Sequence, residues 1–159
     1  MALSFQTHNH DHCVADALSA ADDYCAEKGL RFTSIRRLVY EIVLADHSAM
    51  GAYAILEELR KRGENSQPPV AYRALDFLQQ HGFVHKIERL NAFIACTHPH
   101  EGHKPAFLIC RSCDLVAEAH AELEEGRLGQ VADKAGFQIE KTVVEAVGLC
   151  PNCQDQTPA

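Results

Sequence analysis

Apolar residues that recur at helical spacing predict four helices in the first half of the chain. Their stripes place the helices at about 14–28, 33–46, 52–62 and 68–82. Gly29, Gly63 and Gly82 stand where three of these helices should end, and glycine is common directly after a helix. The Pro68-Pro69 pair suits the first turn of the fourth helix.

The fourth predicted helix has two different faces. Its inward stripe consists of Ala71, Ala74, Leu75 and Leu78. Its outward face carries Tyr72, Arg73, Asp76, Gln79 and Gln80. A polar face of this kind is either a solvated surface or a surface that reads a ligand, and periodicity alone leaves both interpretations open.

After Gly82 the pattern changes from helical to strand-like. Two short strands are expected at 84–88 and 92–96, and helices followed by a hairpin are the order of a winged helix-turn-helix. The second part predicts strands at 106–110 and 115–119, a helix at about 121–135 and a strand at 137–147. The fold class is therefore α+β, with an N-terminal winged helix-turn-helix domain and a small α/β domain after it.

These elements predict a set of domain boundaries. A His-rich leader at 1–13 precedes the winged-helix domain at 14–96. A hinge at 97–105 connects it to a second domain at 106–153, which a tail at 154–159 follows.

Length and composition favour a soluble protein. The chain has 159 residues, of which 47% are apolar, enough to form the core of one compact domain or two small ones. No apolar run approaches the ~18 residues that a membrane-spanning helix needs, and the polar, acidic N-terminus does not resemble a signal peptide. We therefore expect a cytoplasmic location.

The net charge of −7 argues against broad nucleic-acid binding, because such binding depends on Lys and Arg that neutralise phosphates. Residues 1–96 carry 10 basic and 12 acidic side chains, and residues 97–159 carry 5 and 10, so that −2 and −5 sum to −7. The acidic excess lies mainly in the second part, and specific binding by the first part stays possible.

Seven cysteines in a cytoplasmic chain indicate metal binding or redox chemistry rather than disulfides. Two CxxC knuckles, Cys110-Arg111-Ser112-Cys113 and Cys150-Pro151-Asn152-Cys153, supply four thiolates. Such a set matches the closed tetrahedral site that structural zinc prefers. Redox-active thiols are the alternative, which fits two CxxC pairs less well than one.

A second metal site is suggested by the ten histidines, six of which fall between His81 and His120. If the hairpin turns on Leu90-Asn91, His85 lies directly opposite Cys96, and opposed side chains on one face are close enough to share an ion. His103 in the hinge and Glu118 after the first knuckle could join them. Ligands on both sides of a hinge would favour one domain orientation. The alternative is a free cysteine beside ordinary surface histidines.

The motifs in this order resemble those of the ferric uptake regulator family, and in particular its zinc uptake regulator branch. The resemblance runs from about residue 16 to residue 153. The residues that carry it are Pro68-Pro69-Val70-Ala71-Tyr72-Arg73-Ala74-Leu75-Asp76-Phe77-Leu78, Gly82-Phe83-Val84-His85-Lys86, the two knuckles, and Gly148-Leu149-Cys150 with Cys153.

The resemblance implies a function and assigns roles to residues. It implies a zinc-responsive repressor that binds palindromic operator DNA as a zinc-loaded homodimer and represses zinc-uptake genes. The second domain would form the dimer, with one structural and one regulatory Zn²⁺ per chain. The structural ligands would be Cys110, Cys113, Cys150 and Cys153, and the regulatory ligands His85, Cys96, His103 and Glu118.

The resemblance also identifies the fourth helix as the one that enters the DNA major groove. Tyr72 and Arg73 would then contact base edges, because arginine can donate two hydrogen bonds to guanine. Arg36 and Arg37, near the start of the second helix, are candidates for contacts with the DNA backbone.

The chain departs from the family pattern at three places. Ala71 replaces a β-branched or hydroxyl residue, and Thr33-Ser34-Ile35-Arg36 replaces a more typical Thr-Pro-Gln-Arg, so the base preference is open. The leader His8-Asn9-His10-Asp11-His12-Cys13 precedes the family match and is interpreted as a disordered polar tail, with transfer of zinc as the alternative. Some iron-type relatives hold a further metal, for which His98, His100 and His120 are conceivable ligands.

Three other functions compete with this interpretation. An iron, manganese or peroxide sensor of the same family would be favoured by a regulatory site without cysteine, so Cys96 weighs against it. A zinc enzyme needs an open coordination position, which four protein ligands would close. The third alternative is a zinc-binding interaction or storage module that does not bind DNA. The polar outward face of the fourth helix, followed by a hairpin, weighs against it, because such a module has no use for a DNA-reading helix. We expect no enzymatic activity, no membrane association and no small organic substrate.

Overall fold

The structure is a computed structural model that describes residues 10–45, 48–64, 67–97, 99, 105–120, 126–140 and 142–154. The described residues fall into two compact units, an N-terminal unit within Gln6–His100 and a C-terminal unit within Glu101–Ala159. Among these residues no helix is both long and apolar enough to span a membrane.

The N-terminal unit combines four helices with a small antiparallel sheet. Its elements are α1 (His10–Glu27), α2 (Ser34–Leu44), β1 (Met50–Gly51), α3 (Ala52–Lys61), α4 (Pro68–Gln80), β2 (Val84–Ile87) and β3 (Ala92–Ala95). The strand order is β1-β3-β2. The four predicted helices and the hairpin are confirmed. Strand β1 was not predicted, because two residues are too few to show a pattern of apolar and polar positions.

Local chemistry explains where these helices begin and end. The Thr33 side chain accepts a hydrogen bond from the Arg36 N–H at the start of α2, and Pro68 occupies the first turn of α4. Gly63 and Gly82, which follow α3 and α4, have φ angles of 85° and 72°. Glycine adopts this left-handed conformation without the steric cost that other residues incur.

The core of the N-terminal unit lies between the helices and the hairpin. It contains the apolar faces of α1 to α4 together with Phe83, Val84 and Phe93. The Phe83 ring is fully buried and lies 5.6 Å from the Tyr24 ring, 6.2 Å from the Phe32 ring and 5.4 Å from the Tyr40 ring. This aromatic cluster joins α1 and α2 to the start of the hairpin.

The hairpin register differs from the prediction. His85 pairs with Ile94 and Ile87 pairs with Ala92, so the loop contains four residues, Glu88 to Asn91, instead of two. The Asn91 N–H donates to the Glu88 carbonyl over 3.2 Å, and Asn91 has a φ of 45°. The predicted two-residue loop on Leu90-Asn91 is therefore wrong. A four-residue turn that ends in an asparagine of left-handed conformation connects the strands instead, and strand pairing stops at Ile87 and Ala92.

The C-terminal unit has a three-stranded mixed sheet and two helices. Its elements are β4 (Pro105–Cys110), β5 (Val116–His120), α5 (Arg127–Ala135), β6 (Val144–Gly148) and α6 (Pro151–Gln154). The strand order is β5-β4-β6. Strand β4 pairs antiparallel with β5 and parallel with β6, which confirms the α+β fold class.

The last predicted strand of this unit is longer than the observed one. The last strand covers Val144–Gly148 rather than 137–147, because its partner β4 offers pairing positions only from Ala106 to Cys110 and a parallel connection uses the preceding residues to cross over. The helix predicted at about 121–135 corresponds to α5, and residues 121–125 of its predicted range lie outside the described residues. The short α6 occupies the second knuckle, which was not expected to be helical.

Replacement of Phe83 tests the aromatic cluster. We expect Phe83→Ala to lower the free energy of unfolding of the N-terminal unit by about 3–5 kcal/mol, since it removes a buried ring and leaves a cavity. All four tyrosines of the chain lie in this unit and the chain has no tryptophan. Tyrosine fluorescence during urea unfolding at fixed zinc therefore reports on this unit.

A matched control for Phe83→Ala is Glu57→Ala, which removes an exposed ion pair with Lys61 at 3.8 Å. It should change the free energy of unfolding by no more than about 0.5 kcal/mol. Equal effects of the two substitutions would contradict the assignment of Phe83 to the core.

Candidate metal centres and DNA-binding helix

The four knuckle cysteines meet at one end of the C-terminal sheet. Cys110 is the last residue of β4 and pairs with Gly148 of β6, so that the second knuckle begins directly beside the first. The four sulfur atoms lie within 4.8 Å of one another. Parallel pairing of two strands far apart in sequence thus brings the two CxxC turns together.

The turns themselves hold the thiols in place. The first knuckle is closed by a hydrogen bond from the Asp114 N–H to the Cys110 carbonyl, at 3.0 Å. The second is closed in the same way from the Cys153 N–H to the Cys150 carbonyl, also at 3.0 Å. A CxxC turn of this geometry directs both of its sulfur atoms to the same side of the backbone.

The sulfur geometry fits zinc. The distance between Cys113 Sγ and Cys150 Sγ is 3.8 Å. A tetrahedron of four sulfurs with Zn–S distances of about 2.3 Å has edges of about 3.8 Å. Four thiolates leave no open coordination position, so this donor set suits a structural ion rather than a catalytic one.

Hydrogen bonds within the knuckles shift the pKa values of Cys110 and Cys113 in opposite directions. The Cys150 N–H donates to Cys110 Sγ over 3.3 Å, and backbone hydrogen bonds of this kind lower the pKa of Cys110 to about 6. The Leu115 N–H favours the Cys113 thiolate, but the hydrogen bond with Cys110, burial and the other thiols outweigh it and raise the pKa of Cys113 to about 12. Metal binding at this site must therefore release protons.

Two side chains that could bind a metal ion, His85 and Cys96, lie on the hairpin of the N-terminal unit. Nitrogen of His85 and sulfur of Cys96 come within 4.8 Å of each other. Cys96 follows β3, and its N–H donates to the Phe83 carbonyl over 2.9 Å. Cys96 is therefore opposite Phe83, and the predicted direct opposition of His85 and Cys96 is wrong.

The two side chains meet because they are diagonal neighbours. His85 pairs with Ile94, and Cys96 lies two residues beyond Ile94 on the same face of the hairpin. Diagonal positions in an antiparallel pair are ~7–8 Å apart at the backbone, within reach of a long side chain such as histidine. One imidazole and one thiolate fit a zinc site but do not complete it.

Of the other two predicted regulatory ligands, the structure describes Glu118 but not His103. Glu118 lies half-buried on β5 of the C-terminal unit, where it pairs with Phe107 of β4. His103 lies outside the described residues, as do His98 and His100. The side chains of His120 and of the leader residues up to Cys13 are likewise outside the described part.

The faces of α4 agree with the sequence pattern. Ala71, Ala74, Leu75 and Leu78 are buried, and Phe77 joins them. Tyr72 is 42% exposed, and Arg73, Asp76 and Gln80 are also exposed. The outward face thus presents a phenol and a guanidinium side by side on one turn of the helix.

Arg36 and Arg37 make contacts within the N-terminal unit. The Arg36 guanidinium carbon lies 3.7 Å above the centre of the Phe77 ring, and its Nη1 donates to the Arg31 carbonyl. Arg37 forms ion pairs with Asp22 and, over 3.7 Å, with Glu41. Phe77 thus holds Arg36 of α2 against α4, a contact for which the sequence carries no periodic signal.

A model of the ferric uptake regulator family matches residues 27–147. The zinc uptake regulation protein of Escherichia coli is 37% identical over 87% of this chain and 81% of the relative. The chain belongs to the ferric uptake regulator family, in its zinc uptake regulator branch. The protein of the same name from Mycobacterium tuberculosis is 29% identical over 79% of this chain and 96% of that protein.

The likeness extends to three dimensions. A solved zinc uptake regulator, complexed with zinc and DNA, superimposes with a TM-score of 0.85 and 36% identity over 90% of this chain and 96% of that chain. Members of the family are transcriptional regulators, so the zinc-enzyme hypothesis is rejected.

Removal of one knuckle cysteine tests the four-cysteine site. We expect Cys150→Ser to reduce the zinc content of the purified protein by about one ion per chain, because three thiolates cannot close the tetrahedron. Hydrogen exchange in β4 and β6 should become faster. The measurements are metal analysis by mass spectrometry and amide exchange.

The control for Cys150→Ser is Asn152→Ala, which changes an exposed residue in the same knuckle. It should keep the zinc and the slow exchange. Full zinc content in Cys150→Ser would show that these cysteines do not bind the ion.

Proposed function

We propose that this protein is a zinc-responsive transcriptional repressor that binds operator DNA and represses zinc-uptake genes in the cytoplasm. The observation that carries the proposal is the likeness, over 90% of this chain, to a regulator solved with zinc and DNA. The sulfur-rich donor sets and the exposed Tyr72 and Arg73 support it, because they supply a metal chemistry and a DNA-reading surface in one chain.

Each chain binds two Zn²⁺ in this proposal. The four knuckle cysteines hold the structural ion, and His85, Cys96, His103 and Glu118 hold the regulatory ion. The nearness of His85 and Cys96 on the hairpin supports the second set. A thiolate ligand favours zinc over iron or manganese, which are more often held by nitrogen and oxygen alone.

The regulatory ligands lie on both sides of the predicted hinge at 97–105. Binding of one ion by residues from both domains favours one relative orientation of those domains. When zinc is scarce this constraint is lost, DNA affinity falls and the repressed genes are transcribed. Zinc thus acts as the ligand that the repressor needs for tight binding.

Helix α4 reads the DNA in this proposal. Its exposed Arg73 can donate two hydrogen bonds to a guanine edge in the major groove, and Tyr72 can contact a thymine methyl group or a phosphate. Arg36 and Arg37 are proposed to contact phosphates beside it. Stacking on Phe77 holds the Arg36 side chain against α4, whereas Arg37 is held by Asp22 of α1.

A homodimer is proposed because the C-terminal unit exposes large apolar side chains. Val131 of α5 is 64% exposed and Phe137 directly after α5 is 67% exposed. Isolated chains seldom leave such residues in water unless a partner covers them. A second copy is the partner proposed here, and its two-fold symmetry would require a palindromic operator.

Zinc-dependent DNA binding is tested by fluorescence anisotropy with a palindromic operator from a zinc-uptake promoter, across buffered free-zinc concentrations. The wild type should bind only when zinc is present, with the four-cysteine site filled throughout. Cys96→Ser should lose the zinc response, since the regulatory site loses its thiolate. A response to iron or manganese instead of zinc would favour the iron, manganese or peroxide sensor of the same family.

The role of α4 is tested with Arg73→Ala. Loss of a bidentate contact should weaken operator binding about 10-fold to 100-fold at fixed salt. The matched control is Arg127→Ala, which removes an exposed arginine of the C-terminal unit and should bind as tightly as wild type. Unchanged binding of Arg73→Ala would favour the storage or interaction module without a DNA role.

The dimer is tested by sedimentation velocity with Val131→Asp and Phe137→Asp. Each places a charge at an apolar position that a second copy would cover, so each should shift the equilibrium to monomer. Lys134→Ala on the same helix is the control and should remain a dimer. Unchanged sedimentation of both charged variants would reject this surface as the dimer interface.

A further inference from the structure

The outward face of α4 carries a carboxylate that the DNA contacts proposed above do not use. Asp76 is exposed and follows the exposed Arg73 by three residues. An α-helix advances ~1.5 Å per residue, so the two side chains lie on one face, about 4.5 Å apart along the helix axis. A cation and an anion are therefore neighbours on the surface that is proposed to read DNA.

Arg73 and Asp76 do not neutralise each other. Within the described part of the chain, neither side chain takes part in an ion pair or a side-chain hydrogen bond. On α3 the same spacing of three residues does give an ion pair, between Lys61 and Glu58 at 2.7 Å. Both charged groups of α4 are thus available to a ligand that approaches this face.

The two groups together match the major-groove edge of a G·C base pair. Guanine presents two acceptors, N7 and O6, and the paired cytosine presents one donor, its N4 amino group. A guanidinium only donates and a carboxylate only accepts, so Arg73 matches guanine and Asp76 matches cytosine. Guanine or thymine in place of that cytosine would present an acceptor to the carboxylate and would be repelled.

We propose that Asp76 is a specificity-determining residue that accepts a hydrogen bond from the N4 amino group of a cytosine in the operator. This cytosine is paired with the guanine that Arg73 contacts or lies one base step from it. A base step of ~3.4 Å is close to the spacing of the two side chains along α4. The inference rests on the function proposed above and adds a base to those that Tyr72 and Arg73 read.

A carboxylate in this place contributes selectivity more than affinity. The phosphates of any DNA repel it, and at the operator the hydrogen bond to cytosine offsets that repulsion. At a wrong base the repulsion is not offset, and an acceptor lies opposite an acceptor. Asp76 therefore weakens binding to other sequences more than it weakens binding to the operator.

Asp76→Ala tests the contact on a set of palindromic operator duplexes in which each base pair of the half-site is changed in turn. Binding of the zinc-loaded protein is measured by fluorescence anisotropy at fixed salt. We expect Asp76→Ala to lose about tenfold discrimination at one C·G pair, because wrong bases there no longer meet a carboxylate. That pair should be the one at which Arg73→Ala loses discrimination, or the pair next to it.

Asp76→Asn should change the preferred base. An amide both donates and accepts, and asparagine pairs with N6 and N7 of adenine. This variant should therefore bind more tightly than wild type to the duplex that has adenine in place of the cytosine. Asp23→Asn is the matched control, because it removes the same charge from an exposed position of α1 and should keep every base preference.

A chemical change in the DNA separates a direct contact from support of Arg73. The cytosine is replaced by 2-pyrimidinone, which pairs with guanine but lacks the amino group. Wild type should bind this duplex about tenfold more weakly than the unmodified operator, whereas Asp76→Ala should bind both duplexes equally. If Asp76 only held Arg73 in place, wild type would bind the two duplexes equally, and the proposal would be wrong.

The outcomes distinguish this inference from the proposed function. If wild type shows zinc-dependent operator binding and Asp76→Ala keeps all base preferences, or tightens binding to every duplex alike, Asp76 acts at most through its charge. The specificity role is then rejected and the repressor function stands. If zinc-loaded wild type binds none of the operator duplexes, both proposals are rejected.

Discussion

The packing of Phe83 connects the helical core to the hairpin that carries the candidate regulatory ligands. Its ring lies among the rings of Tyr24, Phe32 and Tyr40, while its carbonyl accepts the Cys96 N–H. The same residue thus anchors α1 and α2 and sets the position of a candidate metal-binding cysteine. Because interiors are close-packed, a shift of this ring would be transmitted to the candidate ligands and to α2 together.

The C-terminal unit depends on a different constraint, the parallel pairing of β4 and β6. This pairing brings together two knuckles that 36 residues separate in the sequence. Four thiolates at such short distances repel one another, and a divalent cation relieves that repulsion. The free energy of zinc binding is therefore also part of the folding free energy of this unit.

The surface of the N-terminal unit explains how an acidic chain can act on DNA. Several of its basic side chains are paired with carboxylates within the unit, as in Lys61 with Glu58 at 2.7 Å and Arg62 with Glu41 at 3.5 Å. Broad attraction to phosphates is thereby reduced, and Arg73 on α4 stands out as an exposed cation on the outward face of that helix. Binding would depend on specific contacts and on two copies of the chain rather than on net charge.

The elements that depend on local order can be predicted from the amino-acid sequence alone. The four N-terminal helices, the two faces of α4 and the paired CxxC knuckles all follow from spacing and turn chemistry, because these act between residues close together in the chain. The hairpin register and the short β6 follow instead from tertiary pairing, since each depends on the residues that a strand finds opposite it. The same holds for the stacking of Arg36 on Phe77 and for the packing of Tyr40 on Phe83, because packing between distant segments leaves no periodic signal in the sequence.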